Sequence, residues 1–307
     1  MKLGIKTGLK SNWQSDLVAT KPDFCEIWFD INRKDQYRDL FEFLKGSKIR
    51  FGLHFWGANA AGILANIAYP DQEILQSSRQ LIKKTIDIAS IHRAFYVNLH
   101  ASGKRLTTVD FDQEKFIPLT KSADLAICRQ NLAESLMFLA GYARRHGVQL
   151  LLESTPKLGV GHPWRGKAGR LKPVDTGEFP VDEILFVFDV IKSIGFTNDF
   201  GHTASLTDSA TRTFLLESLF SVSRRLLPRT KLLHVSYIIP PYNGTDYHGS
   251  LTYPEFNSDQ ALPNRTEMLK LLKIYLDQDV CALVEPESNH TGNFIALKQL
   301  INQLQSF

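Results

Sequence analysis

The chain has 307 residues, of which 43% are hydrophobic and 22% are charged, and its formal net charge is +4. These fractions are typical of a globular protein, and the absence of any run of about 18 apolar residues argues against a membrane-spanning helix. The small positive charge is compatible with an anionic partner without requiring one.

The cysteine pattern and the first residues bear on the compartment. The three cysteines, Cys25, Cys128 and Cys281, are odd in number and far apart, so we expect free thiols and no disulfide framework. The opening MKLGIKTGLKSNW has no apolar segment of the kind that secretory signals carry. We therefore expect a cytoplasmic protein.

Short apolar runs with β character alternate along the chain with longer segments whose apolar residues recur at helical spacing. The predicted strands are Leu3–Thr7, Phe24–Phe29, Ile49–Phe55, Ala94–His100, Val148–Glu153, Phe196–Phe200, Lys231–Ser236 and Val280–Glu285. The predicted helical segments are 35–46, 72–92, 123–147, 181–195, 210–227, 266–276 and 292–304.

Eight strands that alternate with helices predict an α/β fold, a single (β/α)8 TIM barrel that spans residues 1–307 as one domain. A doubly wound open sheet is the alternative, but no glycine-rich phosphate-binding motif follows the first strand. Two connections, 156–180 after the fifth strand and 237–264 after the seventh, are longer than usual for a barrel. Both leave the carboxyl ends of strands, where barrel active sites lie.

Nine imidazole or carboxylate side chains fall at or just after six consecutive strand ends, where they would converge on one mouth of the barrel. They are His54, His100, Glu153, Asp199, His202, His234, Asp246, His248 and Glu285. These are the ligand types that suit zinc, manganese or iron. Because converging carboxylates repel each other unless a cation lies between them, the pattern predicts one or more divalent metal ions, with Zn²⁺ favoured and Mn²⁺ or Fe²⁺ as alternatives.

The order His, His, Glu, Asp-x-x-His, His, Asp-x-His, Glu resembles the xylose-isomerase-like barrel superfamily, and within it the endonuclease IV family. That resemblance implies three zinc ions and cleavage of DNA at abasic sites or of a related phosphoester. Residue by residue, it implies a first metal on His54, His100 and Glu153. It implies a second metal on Glu153, Asp199, His234 and Glu285, and a third on His202, Asp246 and His248.

For phosphoester cleavage, Glu153 and Glu285 are the expected catalytic residues: Glu153 bridges two metals, and Glu285 holds a metal and orients the attacking water. The loop from Lys157 to Lys172 carries five basic residues and no acidic one, and Arg165, Lys167 and Arg170 in it are candidates for binding a substrate phosphate. Trp56 and Tyr247 are candidates for stacking on a base or sugar. A plain surface loop and ordinary aromatic packing explain these features equally well.

Two other functions stay open from the sequence. The first is a single-metal sugar or sugar-phosphate isomerase or epimerase, in which Glu153 and Glu285 move protons beside a carbonyl. Such an enzyme has no need of the ligands Asp246 and His248, which is why it ranks second. The second is a barrel that binds metal without catalysis. The chemistry of the substrate and the oligomeric state cannot be predicted from these residues.

Overall fold

The computed structural model, which describes residues 1–100, 102–157, 179–207, 211–242 and 245–306, contains a closed barrel of eight parallel strands. In chain order the strands are β1 (Lys2–Thr7), β2 (Phe24–Asp30), β3 (Arg50–Trp56), β4 (Tyr96–His100), β5 (Thr107–Asp110), β6 (Lys115–Pro118), β7 (Gln149–Glu153), β8 (Gly195–Asp199), β9 (Thr230–His234) and β10 (Cys281–Leu283). All except β5 and β6 belong to the barrel. Each of the eight predicted strands overlaps one of these, so the predicted TIM-barrel fold is confirmed.

Helices connect the strands and cover the outside of the barrel. They are α1 (Trp13–Thr20), α2 (Arg38–Gly46), α3 (Gln72–Ile91), α4 (Leu125–Arg145), α5 (Val181–Val190), α6 (Phe200–Ser205), α7 (Arg212–Arg225), α8 (Arg265–Lys273) and α9 (His290–Gln305). Side-chain caps define several helix starts: Asp71 and Asp124 accept backbone N–H bonds at α3 and α4. The predicted segment 35–46 begins later than expected, because a 3-10 turn, Ile31–Tyr37, precedes α2.

The hairpin β5–β6 was not predicted from the sequence. Thr107–Asp110 pairs antiparallel with Lys115–Pro118, within the connection between β4 and α4. The backbone N–H of Leu64 donates to the carbonyl of Thr107, which joins the hairpin to the loop after β3. The connection after β4 is therefore long as well, in addition to the two that were expected.

Inside the barrel, five strands carry an apolar residue that is followed two positions later by a polar one. The apolar members form one buried cluster that includes Phe24, Tyr96, Leu151, Leu232 and Leu283. The residues two positions further along are Glu26, Asn98, Glu153, His234 and Glu285. A polar layer therefore lies above an apolar one, at the carboxyl ends of the strands.

Among the described residues, no helix combines the length and apolar character that a membrane span needs. The assignment of residues 1–307 to one domain stays a prediction.

Candidate metal centre

The structure brings all nine predicted ligands into one connected group. The linking distances are His54–His100 3.2 Å, His100–Glu153 3.7 Å, Glu153–His234 3.0 Å, His234–Glu285 3.0 Å, His234–Asp199 3.7 Å, Asp199–His248 3.9 Å, His248–Asp246 2.8 Å and Asp246–His202 2.9 Å. Five of the side chains lie on the barrel strands β3, β4, β7, β8 and β9, and the other four lie on the segments that follow β8, β9 and β10. Their convergence follows from the register of the barrel, in which His100 pairs with Glu153 and Asp199 with His234.

The first ligand set consists of His54, His100 and Glu153. Nε2 of His54 lies 3.2 Å from Nε2 of His100 and 3.5 Å from Oε2 of Glu153. Two ligands of a tetrahedral zinc ion, each about 2.0–2.1 Å from the metal, are separated by roughly 3.3 Å. The observed separations match this spacing, so the three side chains could hold one ion.

The second set is centred on His234, whose ring is fully buried. Its Nδ1 atom lies 3.0 Å from Oε1 of Glu153, 3.0 Å from Oε2 of Glu285 and 3.7 Å from Oδ2 of Asp199. Asn98 donates a hydrogen bond to the other oxygen of Glu153 and in turn accepts one from Thr197, which fixes the carboxylate in place. The set therefore offers three carboxylates and one imidazole to a cation.

The third set joins His202, Asp246 and His248, with Asp199 beside them. Oδ1 of Asp246 lies 2.9 Å from Nε2 of His202 and 2.8 Å from Nε2 of His248. Nδ1 of His202 contacts the carbonyl of Ser154 at 2.8 Å, which orients the ring so that Nε2 faces the pocket. Asp199 is the N-cap of α6: its Oδ1 accepts the backbone N–H of His202, which leaves Oδ2 directed at the group.

Two ligand atoms are buried without a hydrogen-bond partner among the described residues: Oδ2 of Asp199 and Nδ1 of His248. A buried polar atom without a partner costs free energy unless something absent from the protein chain satisfies it. Because these atoms belong to residues of the predicted ligand sets, the donor set fits divalent cations.

The protonation of the histidines also indicates that the pocket needs positive charge. Burial alone would lower the pKa of His248, but Asp246, Glu285 and Asp199 raise it to about 9. For the same reason the pKa of His234 is raised well above its ordinary value, against the effect of burial, by Glu153, Glu26 and Glu285. Without metal, these imidazoles carry protons that a divalent cation would displace.

Two residues of the centre were missed by the sequence reasoning, Lys6 on β1 and Glu26 on β2. Glu26 is fully buried, and its Oε1 lies 2.7 Å from Nζ of Lys6 and 2.9 Å from Nε2 of His234. Its Oε2 accepts a hydrogen bond from the hydroxyl of Tyr96 at 3.0 Å. The signal that could have found them is a charged residue at an inward-facing position of an otherwise apolar strand.

Two cavities adjoin the centre, of about 220 and 290 Å³. Trp28, Trp56, Phe116, Asp246, His248 and Glu285 line both. The rings of Trp28 and Trp56 lie 5.7 Å apart, and Phe111 and Phe116 of the hairpin segment each lie 6.2 Å from Trp56. The mouth is therefore walled by aromatic side chains on one side and by ligand residues on the other.

Of the five candidate substrate-binding residues, the structure describes two, Trp56 and Tyr247. Trp56 lines both cavities, as a stacking residue would. Tyr247 packs on Tyr237 at 5.9 Å, and its hydroxyl donates to Glu255. Arg165, Lys167 and Arg170 lie outside the described residues, so their contact with a substrate stays a prediction.

Comparison with known proteins identifies the family. Residues 18–241 match the family described as xylose isomerase-like TIM barrel. No curated protein sequence matches the chain.

Solved structures with the same fold are similar over nearly the whole chain at low sequence identity. A D-tagatose 3-epimerase-like protein is 16% identical with a TM-score of 0.65, covering 100% of this chain and 99% of its own. Endonuclease IV from Thermus thermophilus is 14% identical with a TM-score of 0.56, covering 100% of each chain. The TTHB071 protein from the same organism, soaked with ZnCl2, is 16% identical with a TM-score of 0.61, covering 99% of each chain. At these identities the likeness shows the fold alone.

Proposed function

The chain belongs to the xylose isomerase-like TIM-barrel family, and we propose that it is a hydrolase of phosphoesters that uses a multinuclear divalent metal centre, with up to about three zinc ions. The observation that carries the proposal is the third ligand set. His202, Asp246 and His248 lie beside the first two sets, within contact distance of Asp199. A one-metal isomerase has no use for this set, whereas phosphoester cleavage benefits from several cations at one bond.

Each residue then has a part that its contacts support. His54, His100 and Glu153 would hold one ion, and Glu153, Asp199, His234 and Glu285 would hold a second. His202, Asp246 and His248 would hold the third. When bound, such ions would activate water at neutral pH and stabilise the charge that develops on the leaving oxygen. Five neutral imidazoles among the ligands would leave the centre with excess positive charge, which favours an anionic substrate.

Glu153 and Glu285 would act on the reacting groups. Oε1 of Glu285 contacts Lys6 and Oε2 lies 3.0 Å from Nδ1 of His234, and because the residue lines the pocket it could orient an attacking water. Asn98 and His234 hold Glu153 so that both of its oxygens face ligand histidines. Arg165, Lys167 and Arg170 would bind the substrate phosphate, and Trp56 and Tyr247 would stack on the attached base or sugar.

Small cavities favour a compact substrate. Pockets that bind a small molecule span roughly 300–1,000 Å³, and each of the two cavities here, of about 220 and 290 Å³, is smaller than that. We therefore propose that the scissile phosphate is carried by a small phosphoester or by one extruded nucleotide of an abasic DNA strand. The endonuclease IV structure named above is consistent with the second choice.

The same cavities favour a second candidate function, epimerisation of a sugar at one metal. Trp28, Trp56 and Glu285 line the same cavity, whose aromatic wall would accommodate a sugar ring, and the D-tagatose 3-epimerase-like structure has this fold. In that case, the two glutamates would move a proton on either side of the carbonyl carbon, as a general base and a general acid.

One experiment separates the two functions. Zinc-reconstituted protein is offered bis(4-nitrophenyl) phosphate, a duplex with one abasic site, and a panel of ketohexoses in D2O. The proposal predicts hydrolysis of at least one phosphoester, abolished by Glu153→Gln and strongly reduced by His248→Ala. Incorporation of deuterium into a ketohexose, unaffected by His248→Ala and without hydrolysis of either phosphoester, would establish the epimerase instead.

We also propose a reducing compartment, the cytoplasm. Cys25, Cys128 and Cys281 are all buried free thiols, a state typical of proteins from reducing environments.

A further inference from the structure

A fourth group of ligand-type residues, called the floor site below, shares three members with the first two sets and adds Glu26. It consists of Glu26, His54, His234 and Glu285, whose ligand atoms all lie within 4.8 Å of one another. Two carboxylates and two imidazoles at this spacing are a set that a divalent metal would accept. By composition alone, the pocket would therefore hold a further ion beside those of the proposed function.

The side chain of Lys6 already lies within this group. Its Nζ atom is 2.7 Å from Oε1 of Glu26, 2.5 Å from Oε1 of Glu285 and 2.6 Å from Nδ1 of His54. The side chain is 5% exposed, and Lys6 and Glu26 are register partners on adjacent strands. One nitrogen is thus hydrogen-bonded to Glu26 and His54 and forms an ion pair with Glu285.

These short contacts place the nitrogen where a metal ion bound by the group would lie. An ammonium that is 2.5–2.7 Å from three ligand atoms occupies the space that a metal ion with ligand distances of about 2.0–2.2 Å would need.

We propose that the ammonium group of Lys6 is a resident cation that replaces a metal ion among Glu26, His54, His234 and Glu285. Glu26 is then a partner of Lys6 and not a metal ligand. Lys6 is a positioning residue: it holds Oε1 of Glu285 and Nδ1 of His54, which leaves Oε2 of Glu285 beside His234 and Nε2 of His54 beside His100. The inference rests on the metal-binding part of the proposed function and is independent of the substrate.

The number of bound ions tests this directly. Each variant is stripped with chelator, reloaded with zinc, freed of excess ions by gel filtration and analysed for zinc per chain. Lys6→Ala removes the ammonium and opens the floor site, so we expect one additional ion relative to wild type. Lys2→Ala removes one positive charge from the same strand at a position that is 45% exposed, and we expect the wild-type count.

The zinc count of a second variant, Glu26→Gln, tests whether Glu26 binds metal. If Lys6 occupies the floor, Glu26 holds no metal and the zinc count equals that of wild type; the double variant Lys6→Ala/Glu26→Gln loses the additional ion again. The proposal is overturned if folded Lys6→Ala binds no additional ion, or if Glu26→Gln alone loses one. Should Lys6→Ala fail to fold, the Glu26→Gln count decides alone.

The zinc counts test the role of Lys6 separately from the proposed phosphoester hydrolysis. Wild-type protein that binds zinc but cleaves no phosphoester would overturn the function and leave the inference in place, because the inference depends only on differences in zinc count. An additional ion in Lys6→Ala supports it whether or not any substrate is turned over. A second readout is the increase of Tm on zinc addition, which should be larger for Lys6→Ala than for wild type, because one more binding site stabilises the folded state.

Discussion

Oδ2 of Asp199 and Nδ1 of His248 lie 3.9 Å apart, both buried, and neither has a hydrogen-bond partner in the described part of the chain. Asp199 ends strand β8, and His248 lies on the connection after β9, so these two atoms meet only in the folded barrel. Two unsatisfied polar atoms at this spacing are costly unless a ligand lies between them or beside them. A divalent cation satisfies a carboxylate oxygen and an imidazole nitrogen together.

The substitution Asp199→Asn should separate the structural role of this residue from its role toward metal. Oδ1 of Asp199 accepts bonds from the backbone of His202 and from Ser236, and an asparagine retains that oxygen. We expect the metal-free variant to keep a Tm close to wild type, while its zinc affinity falls at least about tenfold because the anionic Oδ2 is lost. Calorimetric titration measures the zinc affinity, and thermal melting measures the Tm.

Asp199→Ala is the matched control, because it removes both oxygens. It should lose zinc affinity and, in addition, about 1 kcal/mol or more of the free energy of unfolding through the lost cap of α6. Equal zinc affinity in wild type and Asp199→Asn would contradict the assignment of Asp199 to a metal.

The stability of metal-free protein should depend on pH in a specific direction. Folding raises the pKa of His248 from 6.5 to about 9. The stabilisation is therefore complete below pH 6.5 and is lost as the pH rises toward 9, so the Tm of chelated protein should fall over this window. Zinc-loaded protein should show the opposite trend at limiting zinc, because protons compete with zinc for the imidazole.

His248→Asn is the informative variant for this pH dependence. It should reduce the slope of Tm against pH in the chelated protein without abolishing it, because the pKa values of His202 and His234 are raised as well. A slope identical to that of wild type would show that His248 stays neutral in the metal-free state.

The floor of the centre should be sensitive to a methyl group at Gly52. A Cβ atom there would overlap ring atoms of Tyr96, whose hydroxyl binds Glu26. We expect Gly52→Ala to lower the free energy of unfolding by about 1–3 kcal/mol through overpacking. Gly46→Ala is the matched control, since a Cβ at that position meets nothing within 4 Å.

The mechanism of that destabilisation is testable by a double-mutant cycle in chemical denaturation. If the clash with the ring is its cause, the combined variant Gly52→Ala/Tyr96→Ala should be less destabilised than the sum of the two single variants. Strict additivity would show that the ring of Tyr96 is not what excludes a side chain at position 52.

Trp56 should matter for substrate and not for the fold. Its ring lines both cavities, so Trp56→Ala should raise KM roughly tenfold or more, because stacking on one base or sugar is worth about 1–3 kcal/mol. Trp13→Ala, which removes a ring that packs on Phe43 at 5.5 Å, is the control and should leave KM unchanged. Steady-state kinetics on the substrate found for wild type gives the comparison, and equal KM values for both variants would exclude the stacking role.

The barrel and its ligands could be predicted from the sequence because both leave local signals. An apolar run of five to seven residues that ends in an imidazole or carboxylate, such as the one that ends at His100 or at Glu153, marks a strand and its functional end together. The convergence of these ends follows from closure of the barrel, and for that reason distant residues such as His54 and Glu285 could be grouped before the structure was known.

Lys6 and Glu26 could not be predicted in the same way. Glu26 is not at the end of its strand, since four more residues, Ile27–Asp30, follow it. Lys6 is a cation, and a search for metal ligands considers only imidazoles, thiols and carboxylates. Their pairing depends on the register of β1 with β2, which neither strand encodes alone. The hairpin Thr107–Pro118 was missed because its two strands have only four residues each and no wholly buried face.

The measurement that tests the metal centre most directly is the zinc content of wild-type protein and of His248→Ala after chelation and reloading. The account predicts about three zinc ions per wild-type chain and one fewer in His248→Ala, since that variant loses a ligand of the third set alone. One ion per chain in both proteins would contradict the multinuclear centre and would favour a one-metal enzyme built on Glu153, Asp199, His234 and Glu285.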